Sequence, residues 1–251
     1  MNLIKTKSFT LASYLRGNEK ASRLALVLPG RLDTKDYPHL KSHVEYLAQR
    51  GYLALSFDPP GTWESPGSID LYTMTNYLIV INELIEYFGN RPTLALGHSR
   101  GGSMAVLAGV RNQYVTHFVS IMGNYSYAAN TYKHYPDKDW QARGFKTEKR
   151  NLPNSSSGET RIFELPYAFL EDGTKFDMLD DLRKCPKPKL FIFGTRDIIA
   201  PPEIMQKAYQ ESAQPKEIFA LDSGHDYRYN PSLINTVNEA IGQFLDKYAS
   251  Q

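Results

Sequence analysis

Short aliphatic runs alternate along this chain with stretches that carry apolar residues every three or four positions, and that alternation admits few architectures. Residues 24–28, Leu-Ala-Leu-Val-Leu, read as a buried strand, followed by a helical pattern over 39–50 with Leu40, Val44, Leu47 and Ala48 on one face. Gly51 stops that helix. A strand over 52–57, an amphipathic helix over 71–88, a strand over 93–96, a small-residue helix over 102–110 and a strand over 115–121 continue the rhythm. The last third repeats it, with strands at 189–193 and 217–221 and helices at 202–212 and 231–248. The pattern predicts an α/β fold: a doubly wound, mostly parallel sheet covered on both faces, with functional groups at the carboxyl ends of its strands. A chain of 251 residues suits one such domain, spanning 1–251.

One segment breaks the rhythm. Residues 124–184 are rich in tyrosine, charge and turn formers, including Asn154-Ser-Ser-Ser-Gly158, and show no clear apolar strand. A stretch of that length between two core strands predicts an inserted cap. Its aromatics Tyr125, Tyr127, Tyr132, Tyr135, Trp140, Phe163, Tyr167 and Phe169 either line a substrate pocket or form the cap's own small core, and the second reading is preferred.

Within the alternation lies Gly97-His-Ser-Arg-Gly101, directly after the run 93–96. A strand that reverses sharply into a helix can hold its turning residue at positive φ when the residues two before and two after carry no side chain. Such a turn lifts the Ser99 hydroxyl clear of the sheet as a nucleophile elbow. A serine hydroxyl is a poor nucleophile at neutral pH and needs a histidine to take its proton and a carboxylate to orient that histidine. Asp197, in Gly194-Thr-Arg-Asp197, and His225, in Gly224-His225, each follow a predicted strand and stand in the order Ser, Asp, His. Asp222 and Asp226 flank the histidine as rival acids. Acyl transfer also needs N–H donors for a developing oxyanion. The Arg100 amide follows the nucleophile, and the loop Pro29-Gly-Arg-Leu-Asp33 supplies the second donor, with the Arg31 amide preferred and Leu32 next.

The remaining histidines and the composition point elsewhere. His39 and His43 are spaced as helical zinc ligands, but Leu40 stands where a His-Glu-x-x-His site has glutamate, so they read as a surface helix face. His117 reads as a packed sheet residue, His134 as part of a tyrosine-rich cap surface, and His98 as support for the elbow. The lone Cys185 makes no internal disulfide and reads as structural. Arg143, Lys146, Lys149 and Arg150 read as a solvated face. With 29 basic against 27 acidic residues, a net charge of +2, nothing recommends a nucleic acid or an anionic membrane as partner. No run approaches the roughly twenty apolar residues of a membrane span, and the amino terminus lacks a secretory pattern, so a cytoplasmic location is expected. A small-molecule substrate, no metal, no cofactor and a monomer or homodimer complete the expectation.

Taken together, Leu28-Pro-Gly-Arg-Leu-Asp-Thr-Lys-Asp36, Phe57-Asp-Pro-Pro-Gly-Thr-Trp-Glu-Ser-Pro-Gly67, the elbow and the Gly-Thr-Arg-Asp and Gly-His segments resemble small serine hydrolases of the α/β-hydrolase superfamily. The nearest pattern is that of bacterial cinnamoyl and feruloyl esterases. The Asp-x-x-Gly-x-Gly-x-Ser of that group is matched at Asp58, Gly61 and Ser65, with Trp63 in place of a glycine. Phe169-Leu-Glu-Asp172 and Phe176-Asp177 also resemble a cap segment of those esterases. Pro29 departs from the His-Gly that commonly begins their oxyanion loop. The likeness spans about 24–245 and implies a carboxylic-ester hydrolase acting through an acyl-enzyme. A peptidase, thioesterase or carbon–carbon bond hydrolase would share the same three residues, and a non-catalytic ligand-binding protein would share the scaffold. Dehalogenases and epoxide hydrolases resemble this fold but use an aspartate where Ser99 stands.

Overall fold

The computed structural model describes residues 2–126, 138–153 and 158–248. Its strands are β1 (Asn2–Lys5), β2 (Thr10–Arg16), β3 (Leu24–Leu28), β4 (Leu53–Phe57), β5 (Thr93–His98), β6 (Val115–Ile121), β7 (Phe145–Asn151), β8 (Thr160–Pro166), β9 (Lys189–Gly194) and β10 (Lys216–Leu221). Eight of them form one sheet in the order β1-β2-β4-β3-β5-β6-β9-β10, while β7 and β8 form a separate pair. The six central and far strands from β4 to β10 pair in parallel, and β1 and β2 run antiparallel at one edge. The helices are α1 (Pro38–Gln49), α2 (Met74–Tyr87), α3 (Arg100–Arg111), α4 (Lys138–Arg143), α5 (Ala168–Gly173), α6 (Leu179–Lys184), α7 (Pro202–Glu211) and α8 (Pro231–Tyr248).

The strand period of two sorts one aliphatic run between two cores. Leu24, Leu26 and Leu28 of β3 pack with α2 and α3 on one face, whereas Ala25 and Val27 pack with α1 and α8 on the other. Both faces are covered, so β3, β4 and β5 are buried along their whole length. Each fully buried leucine of this kind contributes about 2 kcal/mol. The mostly parallel, doubly covered sheet is the one the alternation predicts.

The structure departs from the sequence reading at several points. The amino-terminal hairpin of β1 and β2 was not foreseen, because an edge strand such as Asn2–Lys5 exposes three of its four residues and lacks the continuous apolar run of a central strand. His39 and His43 do not form a surface face. Helix α1 is wedged between the sheet and α8, and both imidazoles point inward beside Leu40, Val44 and Leu47. Within 124–184 there is a strand pair after all. Strand β7, Phe-Lys-Thr-Glu-Lys-Arg-Asn, carries almost no apolar signal and is held by β8, where Phe163 and Leu165 are buried and Glu164 is exposed.

The cap aromatics do not close on themselves either. Trp140, Phe163 and Phe169 join Leu32, Tyr37, Trp63 and Tyr72 in one cluster, so the insertion is packed onto the loops above the sheet. Tyr125 belongs to the main core, and Tyr167 packs at the edge of the upper cluster. Tyr127, Tyr132, Tyr135, His134 and residues 154–157 lie outside the described residues. His117 is half-buried in β6, with Nε2 3.1 Å from the Tyr248 carbonyl, and Cys185 is buried at the end of α6. Among the described residues no helix is long and apolar enough to cross a membrane.

Helix α3 touches the sheet at backbone distance. A Cβ on Gly101 would lie 1.9 Å from the Leu28 carbonyl oxygen, and one on Gly97 would lie 2.5 Å from the Gly101 carbonyl carbon. Both obstacles are backbone and cannot swing aside. Gly101→Ala is therefore expected to cost about 3 kcal/mol or more. A thermal melt should show a drop in Tm of several degrees or no folded protein, whereas an unchanged Tm would contradict this packing.

Candidate active site

The carboxyl ends of β3, β5, β6, β9 and β10 open on one side of the sheet, where they gather the residues singled out by the sequence. Ser99 caps α3 with φ 55° and ψ −120°, outside the regions that L-residues ordinarily occupy. Such a conformation costs on the order of 1–3 kcal/mol and persists only when its surroundings impose it. Here the Ser99 N–H donates to the Ile121 carbonyl at 2.8 Å, and the glycines on either side let α3 close on the end of β3. The Arg100, Gly101 and Gly102 amides lie in the first turn of α3, where N–H groups lack intrahelical acceptors.

Three side chains from three separate strand ends meet. His225 Nε2 is 2.9 Å from Ser99 Oγ, and His225 Nδ1 is 2.7 Å from Asp197 Oδ2. The other Asp197 oxygen accepts the Ile199 and Ala200 amides at 2.8 and 2.9 Å, which fixes the carboxylate. Because a carboxylate accepts, the ring proton belongs on Nδ1, and Nε2 is left to accept from the serine hydroxyl. The rival acids are engaged elsewhere. Asp222 pairs with Arg196 at the surface, and Asp226 pairs with Arg228 through Oδ1 and Oδ2.

The loop after β3 is held by aromatic side chains, of which the sequence reading noted only Trp63, and that as a departure from the esterase pattern. The Tyr77 hydroxyl donates to the Pro29 carbonyl at 3.0 Å, and the Tyr72 hydroxyl donates to the Gly30 carbonyl at 3.3 Å. The Leu32 N–H donates to Tyr72 at 3.0 Å, and the Trp63 indole donates to the Leu32 carbonyl at 2.9 Å. The Leu32 amide, the second choice as oxyanion donor, is thereby occupied. Trp63 has φ 45°, so it adopts the backbone conformation that favours the glycine of the esterase pattern. The Arg161 guanidinium donates to the Trp63 carbonyl at 2.8 Å and ties that loop to β8. Tyr72 and Tyr77, just before and within α2, were the available signal, but periodicity alone reads them as core.

Behind His225 sits a set of buried histidines. His98 Nε2 lies 2.8 Å from the His225 carbonyl, which supports the loop that carries His225. His43 bridges Asn238 at 2.6 Å and the Tyr227 hydroxyl at 2.9 Å. Burial, followed by repulsion from neighbouring histidines and Arg228, holds His39 and His98 well below the ordinary histidine value, and burial lowers His43 to about 4. These imidazoles are neutral at neutral pH. Asp33, His39 and His98 could each offer a metal one ligand atom, all within 4.8 Å of one another. The Arg228 guanidinium is 2.7 Å from Asp33 and would repel a cation there. Burial alone would raise Asp226, but its hydrogen bonds and charge contact with Arg228 outweigh that and hold it at about 2.

Ser99 and His225 border a cavity of about 530 Å³, roofed by Trp140, Phe169 and Leu170 of the cap. Arg31, Arg100, Arg150 and Arg228 reach its wall. Arg150 thus departs from the solvated face expected of the basic run, whereas Arg143 and Lys149 are exposed and Lys146 is half-buried.

A model of the alpha/beta hydrolase fold family matches residues 26–168, and the chain belongs to that family. Among proteins with curated functions, none matches the sequence. Est1E from Butyrivibrio proteoclasticus, solved with ferulic acid bound, superposes with a TM-score of 0.76 at 17% identity over 100% of both chains. Alpha/beta hydrolase domain-containing protein 10 from mouse gives 0.76 at 17% identity over 98% of both chains. The Pyrococcus furiosus esterase Pf2001 gives 0.70 at 17% identity, covering 98% of this chain and 91% of its own. The likeness to small esterases implied by the motifs is thus found in the fold.

The histidine cluster has a thermodynamic consequence. Between pH 6.5 and about 4 the unfolded chain takes up a proton at His43 that the folded chain refuses, so stability is lost as pH falls through that window. The loss from this residue is of order 3 kcal/mol. Thermal melts from pH 7 to pH 4 should show a falling Tm, with a shallower fall in His43→Gln; equal slopes in both proteins would contradict the assignment.

Proposed function

We propose that this protein is a serine hydrolase that cleaves a carboxylic ester of a small or medium-sized substrate through an acyl-enzyme. The observation that carries this reading is the continuous hydrogen-bond line from Ser99 Oγ to His225 Nε2 and from His225 Nδ1 to Asp197, at 2.9 and 2.7 Å. Membership of the alpha/beta hydrolase fold family and the esterases among its structural neighbours support it.

In the proposed reaction Ser99 Oγ attacks the ester carbonyl carbon while its proton passes to His225 Nε2. The carbonyl oxygen becomes an oxyanion and accepts hydrogen bonds from the Arg31 and Arg100 amides. Asp197, locked by two backbone amides, keeps the imidazole oriented and balances the charge it gains. The intermediate collapses, the carbon–oxygen bond to the alcohol breaks, and His225 returns its proton to the departing oxygen. Water then gives a proton to His225 and adds to the acyl carbon. Collapse of this second intermediate frees the acid and restores Ser99.

The cavity wall supports a substrate with an apolar group. Ile198, Ile199, Ile204, Phe169 and Leu170 line the cavity together with Ser99, so an acyl chain or aryl group can be desolvated there. Ile198 and Ile199 line the cavity and are 90% and 60% exposed, which supports their meeting an incoming apolar group.

Ser99→Ala should lower kcat on a 4-nitrophenyl alkanoate by about four orders of magnitude or more, and Asp197→Asn by about two to four. Both variants are expected to keep the wild-type circular dichroism spectrum. A folded Ser99→Ala protein with wild-type turnover would exclude the mechanism.

A further inference from the structure

Charge in the cavity is unevenly matched. Arg228 is satisfied on every side: its Nε and one terminal nitrogen hold Asp226 at 2.8 and 2.6 Å, and the other holds Asp33 at 2.7 Å. Among the described residues those are the two acids that line the cavity, and both are spent on this one guanidinium. Arg31 has Glu148 at 3.4 Å, and that carboxylate also faces Lys146 at 3.8 Å.

Arg150 is the exception. It sits on the cap strand β7 and lines the same cavity as Ser99, yet it has no carboxylate partner among the described residues. Its Nε is buried without a hydrogen-bond acceptor. The groups it acts on electrostatically are the buried hydroxyls of Tyr37 and Tyr72, which are neutral at neutral pH. Arg100 also lines the cavity, its guanidinium carbon 3.8 Å from the centre of the Phe169 ring. A guanidinium taken partly out of water and left without an anion is costly, and a planar carboxylate is a ligand its donor fork fits in a bidentate way.

We propose that the cavity recognises an ester bearing a second, free carboxylate, with Arg150 as the anion-binding residue and Arg31 contributing from the loop after β3. This rests on the hydrolase reading above and adds the substrate class to it. The apolar wall between Ser99 and the cap would take the carbon chain separating ester and carboxylate, and Arg150 would take its charged end. The anion can stand on the acyl side, as in a dicarboxylic acid monoester, or on the alcohol side, as in an ester of a hydroxybenzoic acid. In either case Arg150 would favour productive binding without touching the reacting carbonyl.

Two pairs of substrates test it. The 4-nitrophenyl monoester of glutaric acid is compared with 4-nitrophenyl pentanoate, and 4-acetoxybenzoate with 4-methylphenyl acetate. In wild type, kcat/KM should favour the anionic member of at least one pair by about tenfold or more, the scale of one charge-assisted hydrogen bond. The pair that shows the preference identifies the side that carries the anion. Arg150→Gln should bring that ratio close to one, and Arg150→Lys should restore part of it. Raising ionic strength should lower the wild-type ratio, a readout that needs no variant to fold. Turnover of the neutral esters with a ratio near or below one in both pairs overturns this proposal and leaves the hydrolase reading standing. Equal ratios in wild type and folded Arg150→Gln overturn the role of Arg150. No turnover of any of the four esters overturns both.

Discussion

The site depends on one close approach, that of the first turn of α3 to the carbonyl end of β3. Gly101 meets the Leu28 carbonyl with no room for a Cβ, and the same contact pulls the preceding turn tight enough to hold Ser99 at φ 55°. Everything further out is arranged around that fixed hydroxyl. Strand β6 takes the Ser99 N–H, β9 and β10 deliver Asp197 and His225, and Arg31 of the loop leaving β3 lines the same cavity. Backbone contacts therefore set the position of Ser99, and the hydrogen bond to His225 is added to a hydroxyl already in place. A parallel sheet suits this task because every strand end it offers opens on the same side.

Burial then decides which ionisable groups can take part. His39, His43 and His98 lie behind the site in a medium that disfavours their charged forms, so they serve as packing and hydrogen-bonding groups. His225 differs in that it faces both the cavity and a carboxylate. Arg228 removes Asp33 and Asp226 from competition for the imidazole, which leaves Asp197 as its acid. The cap contributes through its underside: Trp140, Phe169 and Arg150 bring aromatic surface and charge over a floor set by the sheet.

The sheet from β3 onward was legible because a buried parallel strand leaves a continuous aliphatic run and its helices leave a stripe. Ser99, Asp197 and His225 were legible because each follows such a run within a recognisable turn. What escaped had weaker signals. Strands β1 and β2 lie at an edge and are half polar, and β7 is a charged sequence given its shape by the partner β8. His39 and His43 were misplaced because a polar ring on a helix looks solvent-facing until the neighbour that covers it is known; here that neighbour is α8, nearly two hundred positions later in the chain. The tyrosine clamp on Pro29 and Gly30 and the cavity-facing Arg150 are also products of tertiary packing, which no local pattern encodes.

The central claim is that the backbone and His225 together make Ser99 a reactive nucleophile. The most direct measurement is the intact mass of the protein after brief exposure to a fluorophosphonate, followed by location of the modified peptide. A single adduct on Ser99, absent from a folded His225→Ala protein, is the expected result. An unlabelled protein under conditions that modify a control esterase, or an adduct on any other residue, would contradict it.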